Sequence, residues 1–211
     1  MPAPADPATA LLELGAATLG ESGGLPMRAR IRPAWPGARV AAPAYPVRCT
    51  AGDNLAVHVA VVAAPPGSTL VVDVGDQPER GYWGEVLTTA AEARGLTGLV
   101  IDGCVRDTAA LAAHAFPVFA VGAALPGATK VRPGLVGASA VVGGVEVGAG
   151  DWIVGDDDGV TVIPADRLET VVTAGAARAE KEARLFAELR AGATTLTLLG
   201  LDPSPIEGGD A

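Results

Sequence analysis

The stretch between Glu85 and Val121 most constrains the fold. A helical segment at 85–94, an apolar run at 98–102, a second helical segment at 107–115 and a second run at 117–121 follow one another without a break. Such alternation predicts parallel strands joined by right-handed crossovers. Upstream, residues 39–49 read as a strand. A helix begins at Asp53 or Asn54 and runs to Ala63, Pro65-Pro66-Gly67 ends it, and 69–74 reads as a buried strand. Between 138 and 163 the pattern changes to short apolar runs parted by Gly143-Gly144, by Gly148 to Asp151 and by Asp156-Asp157-Asp158-Gly159, which predicts antiparallel hairpins. Helices are expected at 8–19, capped by Asp6 with Pro7 in its first turn, and at 166–190 after Pro164. The sum is an α/β chain with a mixed sheet: a loose arm at 1–6, a single domain at 7–200 with a long C-terminal helix, and a tail at 201–211.

Composition narrows the chemistry. Of 211 residues 49% are hydrophobic but only 4% aromatic, so small side chains must build a closely packed core. The net charge of −9 opposes binding to phosphate backbones or anionic lipid, so neither nucleic acid nor membrane is an expected partner. There is no basic leader and no apolar run long enough to span a bilayer, so the expected location is cytoplasmic. The scarce residues are Cys49, Cys104, His58, His114, Lys130 and Lys181. Four scattered Cys and His residues are poor material for a structural zinc site. Lys130 in a polar loop and Lys181 between two glutamates are poor Schiff-base formers. Any metal is therefore expected on carboxylates and water. His58 and His114 read as structural, and Cys104 lacks a partner that would make it a nucleophile.

Three places carry candidate chemistry. Gly84-Glu85-Val86-Leu87 opens a helix whose unpaired N–H groups suit a small carboxylate, although Glu85 can equally serve the helix dipole. Asp102-Gly103-Cys104-Val105-Arg106-Asp107 leaves a strand at its carboxyl end, where open α/β sheets gather ligands; the alternative is a surface Arg–Asp pair with Asp107 as a cap. In the last helix the stripe Leu168, Val172, Gly175, Ala179, Glu182, Phe186, Leu189 includes a carboxylate, which points into a subunit interface or site, or else pairs with Arg178 four residues earlier.

Taken in order, Gly84-Glu85-Val86-Leu87, Gly95-Leu96-Thr97-Gly98, Asp102 to Asp107, Pro117-Val118-Phe119-Ala120, Gly150-Asp151 and Asp157-Asp158-Gly159-Val160 resemble the family that unites 4-hydroxy-4-methyl-2-oxoglutarate/4-carboxy-4-hydroxy-2-oxoadipate aldolases with regulators of ribonuclease activity A. The resemblance covers about residues 10 to 190. It implies a swivelling β/β/α domain assembled as homotrimers or homohexamers with sites between subunits. It also implies a lyase dependent on Mg²⁺ or Mn²⁺ that cleaves a 4-hydroxy-2-oxo diacid to pyruvate through an enolate, with oxaloacetate decarboxylation at the same site. By resemblance Arg106 grips the substrate carboxylate with the N–H groups around Gly84, Val86 and Leu87, Asp107 holds the metal, and Glu85, commonly Asp in the family, holds a water. Glu21 and Glu182 match two glutamates that a neighbouring subunit supplies. The same family admits a non-catalytic regulator that binds an RNA-degrading enzyme, and Gly81-Tyr82-Trp83 leaves room for an enzyme acting on another keto acid. Older links of the family to menaquinone methylation find no nucleotide-type glycine loop here.

Overall fold

The computed structural model describes residues 6–206, so residues 1–5 of the expected arm and 207–211 of the expected tail lie outside it. Among the described residues the main sheet has nine strands. Its order is Leu25–Pro26, Gly159–Ile163, Trp152–Asp156, Val40–Cys49, Thr69–Asp73, Gly98–Ile101, Val118–Ala120 and Arg32–Pro33, with Gly134–Val136 alongside Val40–Cys49. The four strands from Val40–Cys49 to Val118–Ala120 run parallel, as the alternation demands, and the hairpin Trp152–Asp156/Gly159–Ile163 is antiparallel. A separate antiparallel hairpin, Ala140–Val142 with Val145–Val147, turns at Gly143-Gly144. The fold is thus mixed α/β, in agreement with the pattern of the sequence.

Side-chain alternation sends the parallel strands' residues into two cores. Leu70, Val72, Leu99, Ile101 and Val118 pack on one face under helices α2 (Leu55–Ala63), α3 (Glu85–Ala93) and α4 (Thr108–His114); α1 (Pro7–Glu21) lies elsewhere. Val71, Val100 and Phe119 point to the other face, where Met27, Val142 and Val147 cover them. Phe119 packs where Gly155 offers no Cβ: one placed there would sit 2.7 Å from the ring.

Helix α1 bends at Gly15, which takes φ +77, and Asp156 from the hairpin accepts the freed Ala16 N–H at 2.8 Å. The last long helix, α5 (Leu168–Arg190), packs on α1 through Val171 and Gly175. Here the expected apolar stripe is corrected: Leu168 and Val172 are half-buried, but Ala179 and Phe186 are exposed because the helix outruns the body it packs against. A short helix α6 (Thr195–Leu199) follows. No helix among the described residues is long and apolar enough to cross a membrane.

Three two- or three-residue strands that sequence patterning misses position the site. Gly81–Trp83, Cys104–Val105 and Gly122–Ala123 form a small parallel sheet, with Trp83 opposite Val105. Its carboxyl end places the start of α3 beside Arg106 and Asp107.

Candidate functional site

A cavity of about 240 Å³ opens at that edge, lined by α2, the start of α3, Arg106-Asp107 and the loop Gly127 to Lys130. Its volume lies below the roughly 300–1,000 Å³ of sites for drug-sized ligands, so it suits a small metabolite rather than a nucleotide. Tyr82 and Trp83 form its buried floor. The Tyr82 hydroxyl donates to Gln77 O and accepts from Gly52 N–H, while Trp83 donates to Thr88 Oγ1 at 2.7 Å and stacks on Phe116. Both large rings are therefore fixed before any ligand arrives.

Arg106 and Asp107 come together as expected. Asp107 adopts a left-handed backbone (φ 56), a strained choice for a residue with a Cβ, and such strain collects at functional positions. Its Oδ2 accepts from Glu85 N–H at 3.2 Å and lies 3.7 Å from Arg106 Nε. This approach needs a glycine at 84, because a Cβ there would overlap the Asp107 carboxylate. Gly81 makes room for the Arg106 stem in the same way: a Cβ would sit 2.9 Å from Ala124 O and 3.1 Å from Arg106 Cδ. Val86 and Leu87 line the cavity from the first turn of α3, where helical N–H groups have no intrahelical acceptor.

The other sequence candidates lie elsewhere. Glu85 is not among the residues that line the cavity: its side chain is 58% exposed and 3.8 Å from His114 Nε2, and His114 Nδ1 meets Glu92 at 2.8 Å, so His114 bridges α3 and α4. Asp102 does not join Arg106: its Oδ2 takes Arg30 at 2.7 Å and Gly143 N–H at 3.0 Å, tying the strand end to the hairpin. Glu21 and Glu182 share one cation, Arg178, whose guanidinium reaches Glu21 and lies 2.9 Å from Glu182 Oε1. The Glu182–Arg178 pair considered from the sequence is present within α5, while the contact of Arg178 with Glu21 joins α5 to α1, and neither glutamate lines the cavity of the same chain. Burial, with Glu79 adding to it, raises the Cys104 thiol, so it is no thiolate nucleophile; burial pushes Cys49 up to about 12.

His58 is the residue that sequence reasoning undervalued. It lines the cavity with Nε2 buried and unpartnered, and burial together with the Lys130 charge holds the imidazole below its ordinary range despite an opposing pull from Asp53. The sequence signal was available: Asn54, the N-cap of α2, and His58 stand at i and i+4 and so share a face.

The cavity's acid is Asp107, and among the described residues no three His, Cys, Asp or Glu side chains converge as a metal cluster. One carboxylate completed by water and substrate oxygens is a donor set that a hard ion such as Mg²⁺ accepts, so the residues fit an oxygen-liganded divalent cation.

A family model for RraA-like proteins, described as Aldolase/RraA, matches residues 15–162. A protein of Halalkalibacterium halodurans provisionally named 4-hydroxy-4-methyl-2-oxoglutarate aldolase is 39% identical over 147 residues, 69% of this chain and 70% of its own. Among solved structures, the RNA-processing inhibitor RraA from Thermus thermophilis superposes with TM-score 0.64 at 27% identity, over 71% of this chain and 92% of that one. An uncharacterized protein from Pseudomonas syringae reaches TM-score 0.75 at 24% identity, over 88% of this chain and 94% of its own, a likeness of fold. By the matched span and by these relatives, the chain belongs to the RraA-like family.

Proposed function

We propose that the chain is a divalent-metal-dependent lyase that cleaves a 4-hydroxy-2-oxo diacid to pyruvate and also decarboxylates oxaloacetate. The observation that carries this is Arg106 and strained Asp107 side by side on a small cavity facing the first turn of α3. The name carried by the Halalkalibacterium relative supports the same class.

Arg106 offers a planar fork to the keto-acid carboxylate, and the Val86 and Leu87 N–H groups add to its hold. Asp107 would hold Mg²⁺ or Mn²⁺, and the ion when bound polarises the adjacent carbonyl and favours the enolate form of the departing pyruvate. Cleavage removes the proton of the C4 hydroxyl, breaks the C3–C4 bond, leaves a carbonyl at C4 and places the electron pair on C3, which a proton then quenches. Glu85, by the family resemblance, would hold the water that carries these protons. Tyr82 and Trp83 keep bulk water from the floor. Glu21 and Glu182, on outer helices, would reach such a site from a neighbouring copy in a trimer or hexamer.

Pyruvate release from a panel of 4-hydroxy-2-oxo acids and oxaloacetate, coupled to lactate dehydrogenase, tests this directly. Turnover with Mg²⁺ or Mn²⁺ that stops on adding a chelator is expected; no turnover of any member with either ion sinks the proposal. A second possibility, a regulator that binds an RNA-degrading enzyme, draws on the likeness to the Thermus RraA. It would be favoured by tight binding to such an enzyme in a protein inert towards the whole panel.

A further inference from the structure

Polar groups on the α2 side of the cavity have no use in the chemistry above. Asn54 is 4% exposed, and its amide orientation is set because Nδ2 donates to Tyr82 O at 2.8 Å. Its Oδ1 is buried and unpartnered, and the residue lines the cavity. One turn on from this N-cap, along α2, His58 also lines the cavity and its Nε2 is buried and unpartnered. Buried polar atoms are nearly always paired, so two orphans on one wall of one cavity imply a partner that arrives with a ligand. Lys130 completes the wall. Its loop is fastened to the start of α2 by Asp53, whose carboxylate accepts from Thr129 Oγ1 and from the N–H groups of Val131, Arg132 and Leu55.

We propose that this wall is the specificity subsite for the half of the substrate that Arg106 does not hold: His58 and Lys130 receive a second carboxylate, and Asn54 Oδ1 accepts the hydrogen bond of the adjoining hydroxyl. The inference rests on the lyase function proposed above and adds the residues that choose a hydroxy diacid over a hydroxy monoacid. The chemistry matches in each part. Arg106 and Lys130 give the cavity two cations against one lining carboxylate, Asp107, which suits a dianion that also brings a metal. An amide oxygen whose nitrogen is already spent can act only as an acceptor, so it selects a donor such as a hydroxyl. An imidazole whose charging is opposed by burial and by a neighbouring Lys is relaxed by an incoming anion. A site with buried polar groups waiting for partners discriminates strongly against ligands that cannot supply them.

The test compares equilibrium binding of 2-oxoglutarate and 2-oxopentanoate, equal in chain length and differing in the second carboxylate, by titration calorimetry with Mg²⁺ present. Wild type is expected to favour 2-oxoglutarate at least tenfold. Lys130→Met and His58→Leu should reduce that preference to under twofold while leaving 2-oxopentanoate affinity unchanged, and His58→Gln should retain part of it. Lys130 is exposed, so its variant tests the idea even if a change at His58 disturbs folding. Asn54→Ala should raise KM for a 4-hydroxy-2-oxo diacid while leaving 2-oxoglutarate affinity in place. Equal wild-type binding of the two keto acids, or variants that keep the full preference, overturns the subsite but not the lyase. Failure of both keto acids to bind overturns the lyase proposal and the subsite with it.

Discussion

Asp53 ties cavity architecture to stability, and its replacement by Asn has a calculable effect. The residue is 2% exposed, and burial alone would raise its pKa. The N–H of Val131, the Thr129 hydroxyl and the N–H groups of Leu55 and Arg132 outweigh burial and hold it at about 2, against an ordinary 3.8. A shift of nearly two units corresponds to about 2.5 kcal/mol favouring the folded state with the carboxylate ionised. That is an upper value, because the group lies just beneath a solvated loop. The sign follows from the depressed folded pKa: the contribution is fully present above about pH 4 and is lost as pH falls towards 2. Asn removes the charge and turns an NH₂ towards backbone donors, so Asp53→Asn should cost about 2–4 kcal/mol at pH 7, or roughly 5–15 °C in Tm for a chain of this size. Urea unfolding midpoints measured in steps from pH 7 to pH 2.5 read this out. The gap between variant and wild type should be widest above pH 4 and narrow below it. A gap that stays constant across the range, or no gap at pH 7, would refute the assignment of the stabilisation to an ionised Asp53. Because the same carboxylate fastens the Lys130 loop, the variant should also weaken keto-diacid binding.

Other replacements separate binding, geometry and scaffold. Arg106→Ala should lower kcat/KM by a hundredfold or more, about 3 kcal/mol for a lost charge-assisted clamp, with Tm nearly unchanged because the side chain is 49% exposed; activity within twofold of wild type would remove Arg106 from the site. Gly84→Ala drives a Cβ into the Asp107 carboxylate, so Mn²⁺ affinity measured by paramagnetic resonance and kcat/KM should both fall at least tenfold. Wild-type Mn²⁺ binding in that variant would mean Asp107 is not the ligand. Glu182→Gln leaves Arg178 its Glu21 partner, so stability should change by less than about 1 kcal/mol. A tenfold drop in turnover there would mark a role in chemistry, and unchanged turnover would confine Glu182 to pairing with Arg178 along α5.

The parallel strands and the hairpins were legible because each is long enough to display a period: Leu70, Val71 and Val72 alternate faces over a buried run, and Asp156 to Gly159 marks a turn between two such runs. The small sheet was not legible, since two or three residues at Gly81, Cys104 and Gly122 show no period and are strands only because their neighbours pair with them. That sheet is nevertheless what brings Glu85 and Arg106, twenty-one positions apart, to one edge. The family motif names these residues without supplying the reason for their spacing; the reason is one crossover through α3 between paired strand ends. The stripe on α5 misled in the opposite direction. Periodicity reports that a helix has an apolar face, but not how far along its length a body lies against that face, and α5 runs past its support beyond Arg178. His58 was undervalued for a related reason: an isolated histidine on an apolar helix carries no mark of whether Nε2 finds a partner, and only the packing around α2 shows that Nε2 is buried without one. Residues whose role depends on what they contact in sequence are readable from the sequence; those whose role depends on a contact withheld until a ligand arrives become readable only when the cavity around them has a shape.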